Sequence, residues 1–183
     1  MKTRDITLMA VMLALLIICS QISIPMWPVA ITLQTFAVLL IGMLLKPQEA
    51  LIVTTFYTIL GLVGLPVFSG FSGGINSFLS PSFGFIISFI PASYVTSLLS
   101  RKSNSSLKQF IIAGIVATIV IYAIGVPYLG FILNQVLNLS KSVAQIMQIG
   151  MTPFLIGDSI KLIFASLVAV RLTKIVRLNY RPL

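Results

Sequence analysis

The sequence contains no histidine and a single cysteine, Cys19. Without imidazole, histidine-ligated metals and histidine-based catalytic triads are excluded. One cysteine can form neither an internal disulfide nor a CxxC site. No G-x-x-x-x-G-K-[ST] string occurs, so the chain brings no phosphate loop of its own. Charge is also scarce: 8% of the 183 residues are charged, where a soluble domain carries roughly 25%. Only three residues are acidic, against twelve basic ones.

What remains is apolar. Hydrophobic residues make up 58% of the chain and mean hydropathy is +1.11. These proportions describe an integral membrane protein, and the length suits one domain over 1–183. The net charge of +9 does not point to nucleic acid. The basic residues sit between apolar spans, as in cytoplasmic loops facing anionic lipid. Lys2 and Arg4 before an apolar run could open a signal peptide. The run Ile6 to Ile24 is long enough to cross a bilayer, however, and no A-x-A cleavage site follows it.

The expected architecture is an all-α bundle of six transmembrane helices, at about 5–24, 33–45, 50–65, 83–100, 109–125 and 154–176. In the first, Ala10 and Ala14 form a small-xxx-small pair that admits a close neighbour helix, inside the bundle or outside it. Pro25 and Pro28 break the chain next. Trp27 between them is an interface anchor by composition, or part of a lid over a ligand. The second span has 13 residues and rises about 20 Å, short of a hydrocarbon core of roughly 30 Å. It therefore starts below the surface, with residues 25–32 folded over it. Gln34, near its outer end, needs hydrogen bonds from a neighbouring helix or from a ligand.

Lys46-Pro47-Gln48-Glu49 makes a tight turn, and Gly64 and Pro66 close the third span. The stretch 67–82 mixes three glycines, three phenylalanines and one amide, Asn76. Phe68 offers an apolar wall, and Gly73 allows close backbone approach. Such a loop is too apolar for a solvated linker and is expected to dip between helices. Pro91 is expected to kink the fourth span. The fifth is expected to end at Gly125-Val126-Pro127, with Tyr122 near its outer end. Residues 128–151 show helical spacing of apolar positions and are expected to form an amphipathic helix on the outer surface.

The sharpest feature is Pro153-Phe154-Leu155-Ile156-Gly157-Asp158-Ser159-Ile160-Lys161-Leu162. Asp158 lies inside an apolar span, and Lys161 three residues later shares its helix face. Charges at bilayer depth cost roughly 2.5–3.5 kcal/mol each and mark function by default; the plainer reading is that the two only neutralise each other. Lys2, Arg4, Lys46, Arg101, Lys102, Lys108, Lys174, Arg177 and Arg181 all fall on the face of the amino terminus. Both termini are then cytoplasmic, and the ligand pocket lies in the extracellular half. The inner half is expected to hold no comparable ionisable group, which suits a capture site better than a channel. A matching ligand is small and mainly apolar, with paired N–H donors and an anionic or carbonyl end.

Three strings carry a resemblance: Ile31-Thr32-Leu33-Gln34-Thr35-Phe36-Ala37-Val38-Leu39-Leu40, Gly64-Leu65-Pro66-Val67-Phe68-Ser69-Gly70, and Pro153 to Lys161. In order and spacing over nearly the whole chain they resemble the BioY family, the biotin-binding S components of energy-coupling factor (ECF) transporters. The resemblance implies a non-enzymatic membrane subunit, without metal or cofactor, that captures biotin from outside. It implies partnership with a transmembrane coupling protein and two ATPases, which agrees with the missing phosphate loop. It suggests that Asp158, Lys161 and Asn76 contact the polar groups of biotin and that Ala10 and Ala14 dock the coupling protein. Asp158 would accept from the ureido N–H groups. Lys161 would hold the ureido carbonyl or the tail carboxylate. Where the family tends to show G-P-T-G-G, this chain reads Ser80-Pro81-Ser82-Phe83-Gly84. An S component for another vitamin, an intramembrane enzyme and a ligand-free structural subunit are the competing readings.

Overall fold

The computed structural model describes residues 3–101 and 106–178, the last five as helical backbone alone. Of the basic residues used above to orient the chain, Lys2, Lys102 and Arg181 lie outside the described residues, as do the side chains of Lys174 and Arg177.

The chain folds into helices α1 (Thr3–Gln21), α2 (Gln34–Leu44), α3 (Pro47–Val63), α4 (Phe83–Ser100), α5 (Leu107–Phe131), α6 (Val143–Gly150) and α7 (Thr152–Leu178). Four helical stretches are long and apolar enough to cross a membrane: Thr3–Gln21, Phe83–Ser100, Leu107–Val136 and Val143–Thr173. The helices Gln34–Leu44 and Pro47–Val63 are apolar but shorter. Helix α2 is the centre of the bundle. From Ala37 to Leu45 every residue is buried, because α1, α4 and α7 pack around it. Small residues permit the close approach: Gly42 rests on Thr96 of α4, where a Cβ would come within 2.5 Å of the threonine.

Between α1 and α2 the prolines do break the helix. Strands β1 (Ser23–Ile24) and β2 (Ile31–Thr32) pair antiparallel, Ser23 with Thr32 and Ile24 with Ile31. The hairpin they close carries Pro25 to Ala30 over the end of α2, and its Trp27–Pro28 peptide is cis. Pro47 occupies the first turn of α3, where its missing N–H costs nothing. Gly64 ends that helix with φ of 111°, a conformation that suits glycine. The segment that follows forms two short 3-10 turns, Ser69–Phe71 and Ile75–Leu79.

Two expectations differ from the fold. The fifth helix does not stop at Gly125: α5 continues through Pro127 to Phe131 and passes into a π-helical turn, Ile132–Val136. Packing against α4 overrides the local signal. Gly125 accepts the ring of Phe85, and Tyr128 packs on Phe83 while its hydroxyl donates to the carbonyl of Phe78 at 2.5 Å. The amphipathic helix is consequently confined to α6. There Ser142 Oγ accepts from the N–H of Gln145, and Gln145 Oε1 accepts from the N–H of Ser142, a reciprocal cap.

The second correction concerns the end of the bundle that holds the amino terminus. It does contain a buried ionic cluster. Lys46 Nζ lies 3.4 Å from Asp5 and 2.9 Å from Glu49, and both acids are buried. The tight turn and the first helical residues are adjacent only in three dimensions.

Candidate functional site

At the opposite end a cavity of about 260 Å³ opens between the hairpin, the 69–82 segment and the ends of α2, α4, α5 and α7. Ligand sites run roughly 300–1,000 Å³, so this one suits a small molecule. Its apolar walls include Phe68, Phe85, Ile86, Phe89, Ile121 and Phe154.

Asp158 and Lys161 both line it. One helical turn apart on α7, they form an ion pair of 2.8 Å and are buried. Two other helices complete the arrangement. Thr35 of α2 donates its hydroxyl to Asp158 Oδ1 at 3.0 Å and accepts from Lys161 Nζ at 3.1 Å. Tyr122 of α5 donates to Asp158 Oδ2 at 2.6 Å. A carboxylate offers about four lone-pair sites and an ammonium three donors. Among the described residues Asp158 uses three sites and Lys161 two donors. One acceptor site on Asp158 and one donor on Lys161 therefore remain.

Gln34 also lines the cavity, but its amide is engaged within the protein. Its Nε2 donates to Tyr57 OH at 2.6 Å, its Oε1 accepts from Thr32 Oγ1 at 3.0 Å, and Tyr57 OH donates to Val67 O at 3.0 Å. Of the two sources of hydrogen bonds open to Gln34, the protein supplies those seen here: an acceptor from the neighbouring helix α3 and a donor from strand β2. The relay ends beside Phe68, which is buried, stands edge-on to Tyr57 and Phe83, and lies over Gly61. The last turn of α1 holds the same strand of backbone. Ser20 Oγ donates to Val67 O at 2.6 Å, Gln21 Nε2 donates to Phe68 O at 3.2 Å, and Gln21 Oε1 accepts from the N–H of Phe71 at 2.9 Å.

The remaining sequence candidates fall outside the lining. Trp27 is 69% exposed, although Met26 and Pro28 on either side of it line the cavity. Asn76 is exposed next to the lining residue Ser77, and Gly73 next to Ser72. Gly73 has a packing reason of its own: a Cβ there would stand 2.2 Å from the carbonyl oxygen of Leu65. The structure thus brings together Asp158, Lys161, Gln34, Tyr122 and Phe68, and leaves Trp27, Asn76 and Gly73 at the rim. Sequence reasoning missed Thr35 and Tyr57. Their signal was a hydroxyl inside an apolar helix, a feature too common in membrane helices to single out two positions. Ala10 and Ala14 are exposed on α1 and remote from the cavity.

A bundle of apolar helices enclosing a small cavity, with one buried acid–base pair aimed into it, defines a ligand-capturing membrane protein. Among the described residues there is no group of three or more potential metal ligands. The model of the BioY family matches residues 1–178. The "Biotin transporter BioY" of Thermotoga maritima is 34% identical over 172 residues, 94% of this chain and 97% of that protein. A "Probable biotin transporter BioY" of Lysinibacillus sphaericus is 36% identical over 177 residues, 96% and 90% of the two chains. The crystal structure of an S-component for biotin from an ECF-type ABC transporter superposes with a TM-score of 0.83 at 27% identity, covering 95% of each chain. The chain belongs to the BioY family. It is a multi-pass membrane transport component and not an enzyme.

Proposed function

We propose that this protein is the substrate-binding S component for biotin uptake, and that Asp158 and Lys161 grip the ureido ring. The observation that carries this is the open acceptor and donor on the buried pair. A cyclic urea presents an N–H beside a C=O, the complementary edge. Asp158 Oδ2, held by Tyr122, accepts the N–H, and Lys161 donates to the carbonyl. The paired N–H groups need not both reach Asp158, because three of its lone-pair sites are already taken. Gln34 and Phe68 shape the wall, and Trp27, Asn76 and Gly73 belong to rim segments that order over a bound ligand.

The chain crosses the membrane six times, α2 and α3 being the short spans and α6 lying along the surface. Both termini are cytoplasmic, and the cavity faces outward. Positive charge on the terminal face supports this orientation. Energy comes from a transmembrane coupling protein and two ATPases, a reading supported by the likeness to an S-component of an ECF-type ABC transporter. The exposed face of α1 with Ala10 and Ala14 suits helix docking.

Titration of the purified protein with biotin, thiamine and riboflavin tests the ligand. Biotin is expected to bind below micromolar concentration and the others not. Thiamine or riboflavin binding in its place refutes the biotin assignment. Ala10→Trp is expected to abolish uptake in cells that carry the coupling module while leaving biotin affinity unchanged. Loss of binding in that variant means that the alanine face packs inside the bundle.

A further inference from the structure

The turn at 68–72 walls the cavity in a conformation that its own residues do not favour. Phe68, Ser69 and Ser72 line the cavity, and the N–H of Phe68 donates to Ser72 O at 3.0 Å to close the turn. Inside it Gly70 and Phe71 are both left-handed, with φ of 71° and 55°. Glycine accepts this readily, whereas a bulky side chain resists it. Packing offers Phe71 little in return, because the residue is 72% exposed.

One side chain supplies the restraint. Gln21, the last residue of α1, accepts the N–H of Phe71 on Oε1 at 2.9 Å and donates from Nε2 to Phe68 O at 3.2 Å. It thus grips the turn on either side of Gly70. Val67 O also receives Ser20 Oγ and Tyr57 OH, bonds that fix the approach to the turn and do not reach Phe71. Gln21 itself is not among the residues that line the cavity.

The hairpin is anchored at the same point. Gln21 stands two residues before β1, and the N–H of Leu33, just past β2, donates to Ile22 O at 3.1 Å. Two covers of the cavity are therefore fastened at adjacent residues. The helix that carries them is itself seated in the bundle by buried Met9, Met12 and Leu16.

Resting on the reading of the cavity as the biotin site, we propose that Gln21 is a positioning residue: it holds the 68–72 turn against the cavity and thereby sets how long the captured ligand stays. It acts through the turn and touches no ligand. Loosening a wall that closes behind a ligand speeds release and leaves the first encounter unaltered.

Gln21→Met keeps the length of the side chain and removes both bonds to the turn. Hydrogen–deuterium exchange of the purified, ligand-free variant is expected to quicken about tenfold in segment 66–72 and to stay within about twofold in α2 and α7. Release of radiolabelled biotin into an excess of unlabelled biotin is expected to be about tenfold faster, with association within about twofold. Gln21→Glu keeps the acceptor for Phe71 and loses the amide donor, and is expected to speed release by about threefold. Glu49→Gln, at the other end of the bundle, is expected to change neither measurement. Unchanged exchange in 66–72 overturns the proposal whichever ligand the protein binds. Faster exchange with unaltered release overturns it too, as does release quickened equally by Glu49→Gln, since Gln21 would then only stabilise the fold. An unaltered protein that binds no biotin refutes the biotin reading instead, and the exchange measurement still decides whether Gln21 positions the turn.

Discussion

The two ends of this bundle each bury acidic side chains against one lysine, and they do different things with them. At the amino-terminal end Lys46 lies between Asp5 and Glu49, and its side chain is 38% exposed. Glu49 spends its second oxygen on the backbone N–H of Lys46 at 3.0 Å, which fastens the start of α3. None of these three residues lines the cavity. At the other end Lys161 is 10% exposed and faces a single carboxylate. Two hydroxyls from α2 and α5 complete the set, and a cavity opens beside it. At the second end unused hydrogen-bonding capacity meets open space, which is what a binding site requires. Where capacity is consumed by backbone and helix ends, the same residue types hold the fold together.

Removing each lysine should separate the two ends most widely. Lys161→Ala leaves Asp158 buried without a counter-charge and is expected to cost about 3–5 kcal/mol of stability. Lys46→Ala also strips buried acids of a lysine, but that lysine is 38% exposed and Glu49 keeps its bond to the backbone N–H, so the cost should be smaller, about 1–3 kcal/mol. Thermal unfolding in detergent reads both, and equal losses would erase the contrast. Next in size is Asp158→Asn, expected to weaken biotin by about 2 kcal/mol, roughly thirtyfold. Glu49→Gln should leave biotin affinity unchanged and lower only stability, by about 1 kcal/mol, through the weakened cap. An affinity loss in the Glu49 variant would mean that the two ends are coupled. An effect of about that size is expected from Tyr122→Phe, which frees one lone pair on Asp158 and removes one hydrogen bond. Biotin affinity should fall by about 1 kcal/mol, near fivefold. No change would mean that Tyr122 stabilises only the empty site.

Much of the site was legible because its key pair is local. Asp158 and Lys161 are three residues apart, and helical geometry alone puts them on one face. Tyr122 was legible by its depth in the fifth span. Thr35 was not, since its contact with Asp158 joins positions far apart in the chain, and no helical period reports which two helices touch. Gln34 was found, but its partner was not: the choice between neighbour and ligand rested on Tyr57, which lies on another helix. The ionic cluster of Asp5, Lys46 and Glu49 was missed for the same reason. Pro127 misled because its local preference was outweighed by the contacts of Gly125 and Tyr128 with α4.

Composition and hydrophobic periodicity by themselves determined a helical membrane bundle, its helix order, and the one charged pair placed where charge is costly. Those are properties of single segments, governed by local geometry and by transfer from water. Only the tertiary structure decided which side chains meet that pair, which amides are already satisfied, and where the cavity lies. Such answers depend on contacts between segments distant in the chain, and side-chain periodicity carries no record of them.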